Sequence, residues 1–331
     1  MSVERRERIP WEPGLVSAVI PCYNAARFLP RAIESVLTQT YRPVEVLLID
    51  DGSTDGTAAC ADAYQETVRY YRQENRGAAA ARNLGISLAR GEFIAFLDAD
   101  DVWYPSKIEA QLRRFREDPR LGMVYSGCHS IDENGTVTGY YLKRRLFRKR
   151  DLAENVFIKD FIPNSTIVVR ADCLKQVGVI DESIELCEDE DLKIRLADAV
   201  RVEGVRRPLA GWRQHSGNKS LLIDKLKETF DHDTSILIRK LPRLARFRRE
   251  REAILYENCG LLQLRERKTR AARNEFRRAV ALNPRRWRCW GFWLLSFPGP
   301  GTVNSIIRMK KRLETGWSRV RPGGGETGER K

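Results

Sequence analysis

Four short runs rich in branched and aromatic residues, at 16–20, 44–49, 68–72 and 93–97, are spaced along the first hundred residues with polar or helical segments between them. Runs of this length, bounded by glycine, proline or acids, predict buried strands rather than helices. Pro21 is expected to stop the first strand. Between the runs, 25–38 places Phe28, Ile33, Val36 and Leu37 at helical spacing, and 78–89 is an alanine-rich helix. Ser53 or Thr54 is the expected N-cap of a helix after the second strand. Strands alternating with helices predict an α/β fold with a doubly wound, mostly parallel sheet built by right-handed crossovers.

Beyond residue 120 the pattern changes. The stretches 123–126 and 136–141 flank Asp132-Glu133-Asn134-Gly135, a hairpin signal that inserts antiparallel strands and makes the sheet mixed. A returning strand is expected over 163–170, then the acid-rich stretch 185–192 leading a helix that runs through Leu196. From about residue 224 the chain reads as helical. Ala272, Phe276, Ala279 and Pro284 fit the A-x-x-x-F…P pattern of a tetratricopeptide repeat, whose lone copy must bury its face on something else. The expected division is a sheet domain with flanking helices over 14–222, a basic helical C-terminal extension over 223–319, and a glycine-rich disordered tail over 320–331.

Composition is that of an ordinary globular chain, 42% hydrophobic and 31% charged over 331 residues. The N-terminus is charged with no apolar run behind it, which excludes a signal peptide; no apolar run of about 18 residues predicts a spanning helix. Seven cysteines without C-x-x-C spacing predict reduced thiols and a cytoplasmic setting, in which the sequons at Asn134 and Asn164 have no consequence. The net charge of +14 is concentrated in 143–150 and from Arg239 onward, which suits either a polyanionic neighbour or a solvated face. Trp287, Trp290, Phe292, Trp293, Leu294, Leu295 and Phe297 stand among Arg285, Arg286 and Arg288. That mixture predicts a helix lying on an anionic membrane surface at its inner face, with a packed cap or a homo-oligomer contact as the alternative. No interleaved aromatic and basic strand pattern points to nucleic acid.

Acids gather at the strand ends: Asp50 and Asp51 after the second, Asp98, Asp100 and Asp101 after the fourth. In open α/β sheets that edge faces the ligand crevice, and carboxylates there suit Mg²⁺ or Mn²⁺ holding a substrate phosphate. The turn Pro21-Cys22-Tyr23-Asn24 contains no glycine, and neither G-x-G-x-x-G nor G-x-x-x-x-G-K-[ST] occurs, so a nucleotide would be held by carboxylates and metal. Glu188-Asp189-Glu190-Asp191 suits the positive end of a helix dipole, but capping accounts for one acid of the four. A carboxylate held rigidly there can act as a general base.

Val16–Asn24, Asp50–Thr57, Asn75-Arg76-Gly77 with Ala81–Gly85, and Phe96–Asp101 together resemble, in order and spacing, glycosyltransferase family 2 of the GT-A fold, over about 14–220. The resemblance implies an inverting transferase that uses a nucleotide-sugar donor and a divalent metal, with UDP as the default nucleotide and GDP or dTDP as alternatives. The acceptor would be a glycan or lipid-linked glycan. Carried over residue by residue, Pro21, Tyr23 and Asn24 fall in the first donor-binding motif. Asp50 and Asp51 take the base and ribose positions. Arg82 lies near the nucleotide or is a surface helix arginine. Asp98, beside Ala99, contacts ribose or donor sugar and contributes to the metal site, whereas Asp100 ligates the metal directly; the role of Asp101 is open. His215 completes the metal shell or touches the diphosphate, and Trp212 and Arg213 form a lid. Asp189 is the base, with Glu188 as the alternative. A sugar-phosphate nucleotidyltransferase would need a glycine-rich basic loop where Cys22-Tyr23-Asn24-Ala25 stands. An inactive transferase-like module binding a polyanion would not need the full set of acids.

Overall fold

Strands with no polar face to offer water must be covered on both sides, and the N-terminal half of the chain is built that way. A computed structural model describes residues 11–141, 151–218 and 223–296. β1 (Glu12–Cys22), β2 (Val44–Asp50), β3 (Val68–Arg72) and β4 (Gly91–Phe96) run parallel, linked by α1 (Leu29–Leu37), α2 (Thr57–Asp62) and α3 (Ala78–Leu88). Val16, Ala18 and Ile20 of β1 join Val46 and Leu48 of β2 in the main core. Gly85 brings α3 close to the sheet, since a Cβ there would lie 2.3 Å from Val19 Cγ1.

The second half adds β5 (Val102–Trp103), α4 (Lys107–Glu117), β6 (Leu121–Ile131), β7 (Val137–Tyr141), α5 (Leu152–Ile158), β8 (Val168–Arg170), α6 (Ala171–Val177), α7 (Glu188–Ala199) and β9 (Arg201–Arg213). The sheet order is β3-β2-β1-β4-β8-β6-β9-β5, with β7 paired to β6. β8 is antiparallel to both β4 and β6, so β6 points the same way as β4, and β9 lies parallel to β6. The expected mixed, doubly wound sheet is present. The β6–β7 hairpin turns where expected, with Gly135 at φ 94°.

Three local expectations are corrected. Pro21 does not stop β1. Val19 C=O accepts from Leu97 N–H at 3.0 Å, so Pro21, two residues on, faces the same side but beyond the last β1–β4 pair, where no ladder donor is needed. Neither Ser53 nor Thr54 caps α2, which begins after Gly56: Ser53 Oγ accepts from Asn24 N–H at 3.0 Å, and the Asp55 carboxylate accepts from Thr57 N–H at 2.9 Å. The strand expected over 163–170 shrinks to β8, because Asn164–Thr166 forms a 3₁₀ turn whose side chains bond elsewhere.

The chain divides into two compact units, 1–251 and 252–331. The first continues past residue 222 through α8 (Ile223–Lys240). Asp233 there accepts from the backbone N–H groups of Glu185 and Leu186, and Lys240 Nζ lies 2.7 Å from Asp181 and 2.8 Å from Asp191. α9 (Arg248–Arg265), α10 (Thr269–Leu282) and α11 (Trp287–Leu295) complete the helical part. Within the second unit the A-x-x-x-F spacing is buried: Ala272, Phe276 and Phe292 pack with Leu261 and Leu264, and Gly260 leaves room for the Phe276 ring. The basic run 143–150, Phe297 and the tail 320–331 lie outside the described residues. Among the described residues no helix is long and apolar enough to cross a membrane.

Candidate active site

The turn after β4 is fixed from beneath by Asp101, the acid whose role the sequence leaves open. Its buried carboxylate accepts from Ser165 Oγ–H at 2.5 Å and from Arg213 N–H at 2.8 Å, while Ser165 Oγ accepts from Asp98 N–H at 3.1 Å. Burial, then Asp100 and Asp98, push the Asp101 carboxyl well above its ordinary range. Arg213 is a strut rather than a lid. It is 1% exposed, and its guanidinium donates to the carbonyls of Asp100 (2.6 Å), Asp132 (2.9 Å) and Glu133 (3.0 Å). Trp212 is half-buried, with its ring 5.6 Å from that of Tyr141.

Asp98 and Asp100 face different partners. Asp98 Oδ1 accepts from Arg82 Nη2 at 2.8 Å and from Asn164 Nδ2 at 3.2 Å. The other arm of Arg82 donates to Glu188 Oε1 at 3.0 Å, so this arginine is a buried bridge and not a surface residue. Burial opposes its charge, but Asp98, Glu188 and Asp189 outweigh that and raise its pKa. Asp100 Oδ2 lies 2.9 Å from His215 Nε2, and burial together with Asp98 pushes the Asp100 carboxyl up against the pull of that histidine. Gly217 N–H reaches His215 Nδ1 at 3.2 Å, so Nε2 is the nitrogen that faces Asp100.

Among the described residues no three His, Cys, Asp or Glu side chains converge as a ready metal cluster. Asp100 and His215 supply two adjacent donors. That fits a divalent cation drawing its remaining ligands from water and a diphosphate, a habit of Mg²⁺ and its relatives. The bonds from Arg82 and Asn164 both fall on Asp98 Oδ1, so Asp98 could join it through Oδ2 without releasing either.

The segment Pro21–Asn24 is stapled to the turn after β2. Asn24, in the left-handed region at φ 48°, accepts at Oδ1 from Thr54 N–H (2.9 Å), and Ala25 N–H donates to Thr57 Oγ1 (2.9 Å). Pro21 pairs with Ile49 in the sheet, Ala99 is buried, and Tyr23 is 51% exposed at the rim. Asp50 is wholly buried, accepting from Ser53 N–H (2.8 Å) and Tyr70 O–H (2.7 Å). Asp51 accepts from Gln73 Nε2 (2.7 Å), Arg76 N–H (2.9 Å) and Gly77 N–H (2.8 Å). Both carboxylates brace the loops around them.

The four acids that open α7 meet four different sets of cations. Glu188 binds Arg82. Asp189 Oδ2 accepts from Lys193 Nζ at 2.7 Å, and the same ammonium bonds Ile162 C=O at 3.0 Å and the Asp160 carboxylate. Glu190 pairs with Arg251 (Nη2 to Oε2, 3.1 Å), and Asp191 with Arg195 (2.6 Å) and Lys240 (2.8 Å). Burial would raise the Asp189 carboxyl, but Lys193 and Arg82 hold it below its ordinary range. At Asp160 burial wins over the same lysine, and its pKa rises to about 6. Sequence reasoning missed Lys193, Asp160, Asn164 and Ser165. Only Lys193 left a signal, its i+4 spacing from Asp189.

The family model for glycosyl transferase family 2 matches residues 17–177. An uncharacterized glycosyltransferase of Rickettsia typhi is 34% identical over 181 residues, 54% of this chain and 57% of that protein. The chondroitin synthase of Escherichia coli is 30% identical over 241 residues, 72% of this chain and 34% of the synthase. The chain spans 36% to 57% of the length of the first rickettsial relatives it matches. Among solved structures, residues 1–349 of S. aureus TarS with UDP-GlcNAc align with a TM-score of 0.56 at 17% identity, covering 91% of this chain and 92% of that one. A mannosyltransferase of Pyrobaculum calidifontis with GDP-Man and Mn²⁺ aligns equally, TM-score 0.56 at 18% identity, covering 92% and 87%. At such identities the likeness speaks to the fold, which is of the GT-A type.

Proposed function

Because the chain belongs to glycosyltransferase family 2, we propose that it transfers a sugar from a nucleotide-sugar, with UDP as the nucleotide, to a hydroxyl of a glycan or lipid-linked glycan, inverting the anomeric centre. One contact carries the reading. Arg82 touches both Asp98, at the strand end expected to face the donor, and Glu188, next to the carboxylate expected to face the acceptor. A single buried guanidinium thus ties the two halves of the proposed transfer site together.

Asp189 takes the proton of the acceptor hydroxyl. It suits that task because Lys193 and Arg82 keep it ionised while α7 keeps it in place. The freed oxygen bonds to the anomeric carbon from the face opposite the diphosphate, and the carbon–oxygen bond to phosphate breaks with its electron pair leaving on the diphosphate. Asp100 and His215 would hold a divalent cation, which would supply charge neutralisation for that leaving group. Asp101, Ser165 and Arg213 hold the turn that carries Asp98 and Asp100.

The test is donor hydrolysis by the purified protein over a panel of nucleotide-sugars with Mn²⁺, since slow hydrolysis needs no known acceptor. Asp189→Asn should keep donor affinity and lose transfer by roughly 10²-fold or more. Full turnover in that variant with loss in Glu188→Gln would move the base to Glu188. Absence of both binding and hydrolysis across the whole panel would end the reading.

A further inference from the structure

We infer that the second unit carries a docking face for an anionic lipid surface, formed by Trp287, Trp290 and Leu294 on α11. This goes beyond the transfer reaction and does not depend on it. α11 has two faces of opposite character. Cys289 and Phe292 are fully buried against α10, whereas Trp287, Trp290 and Leu294 are 66%, 41% and 58% exposed. Steps of three and four residues set these three side chains on one stripe, where a helix facing only water would carry polar groups. Tryptophan, with an apolar body and one polar edge, suits the level of lipid headgroups.

Charge decides the occupant. Residues 252–296 hold ten arginines and lysines against four glutamates, and two of those glutamates, Glu257 and Glu275, are buried, Glu257 paired with Arg286. Arg277, Arg278 and Arg285 are exposed. A second copy would bring the same positive unit to the face. The chain's own residues 297–331 hold eight basic against three acidic residues, so they too are repelled. A nucleic acid would satisfy the arginines but leave Leu294 in water. An anionic bilayer surface answers both the arginines and the apolar stripe.

The full chain is sedimented with vesicles of phosphatidylcholine alone and of phosphatidylcholine with phosphatidylglycerol, at low and high salt. Binding to the anionic vesicles is expected, weakened but not abolished by salt because the apolar contribution is unscreened. The variant W287S/W290S/L294S should lower the partition coefficient by more than about tenfold and remove the salt-resistant part, with helix content unchanged by circular dichroism. Should that variant misfold, the native chain still tests the idea: its tryptophan emission should be quenched by lipids brominated in the acyl chains, and an unquenched spectrum refutes it. The inference is overturned if the full chain stays in the supernatant with anionic vesicles at low salt. It is equally overturned if the triple variant binds them unchanged, whether or not it converts a dimer to a monomer in light scattering, or if the stripe is needed for binding DNA instead.

Discussion

Replacing Lys193 by methionine removes the one ammonium that joins Asp160 and Asp189, and the consequence for the proposed base can be worked out in advance. At 2.7 Å and an effective dielectric of about 20, the Lys193–Asp189 attraction is about 6 kcal/mol before desolvation is subtracted. Arg82 remains as a second source of positive potential, so only part of that appears as a pKa change, and the Asp189 carboxyl is expected to rise. A base must be ionised. In the native enzyme Asp189 is held below the ordinary carboxylate range, so donor turnover should persist as pH falls through that range; in Lys193→Met the acid limb of kcat/KM should move to higher pH. Asp160, already at about 6, would then titrate jointly with Asp189 as a pair of facing carboxylates. Removing one partner of a buried ion pair costs about 3–5 kcal/mol, so the double variant Asp160→Asn/Lys193→Met, with one unpaired charge fewer, guards against loss of fold. Lys193→Arg should restore the native limb. A pH–rate profile whose acid limb is the same in native and methionine enzymes would refute the idea that Lys193 sets the state of the base.

Two further outcomes follow from other parts of the site and core. Asp100→Ala should abolish metal-dependent binding of UDP measured by calorimetry with Mn²⁺; native affinity unchanged in EDTA would remove the metal from the proposal. Lys107 is fully buried, with Nζ lacking a hydrogen-bond partner among the described residues and lying 4.2 Å from the centre of the Trp103 ring, and burial pulls its pKa well down. Lys107→Met should therefore stabilise the fold by about 1–3 kcal/mol in urea titrations near neutral pH. Between the lowered folded pKa and the ordinary lysine value the unfolded chain binds more protons, so native stability rises with pH and the variant's advantage should shrink toward pH ~10; no gain at neutral pH would count against the burial argument.

What the sequence made legible was whatever depends on local pattern. β1, β2 and β4 announce themselves because strands buried on both faces are mostly apolar, Ser17 and Glu45 being bonded to each other inside, and the acids at their ends stand out by contrast. β5 and β8, of two and three residues, are too short to leave a pattern, and β9, Arg201–Arg213, alternates too weakly to be read as thirteen residues of strand. The site divides the same way. Its carboxylates were legible, but their partners were not, since the groups that bond them are distant in the chain: Asn164 lies 66 residues from Asp98, and Glu188 lies 106 from Arg82. Arg213 looked like a lid because aromatic and basic neighbours suggest one; only the carbonyls converging on its guanidinium reveal a strut.

The acids opening α7 have one more consequence, for anyone who would scan or redesign this chain. Four neighbours of near-identical chemistry answer to four unrelated constituencies: Glu188 to Arg82, Asp189 to Lys193, Glu190 to Arg251, and Asp191 to α8 through Lys240. Adjacent substitutions should therefore give unlike phenotypes, in donor affinity, in turnover, and in yield of folded protein. A library that treats 188–191 as one acidic patch would average these together, and a homologue that conserves only the count of acids there would have lost the wiring.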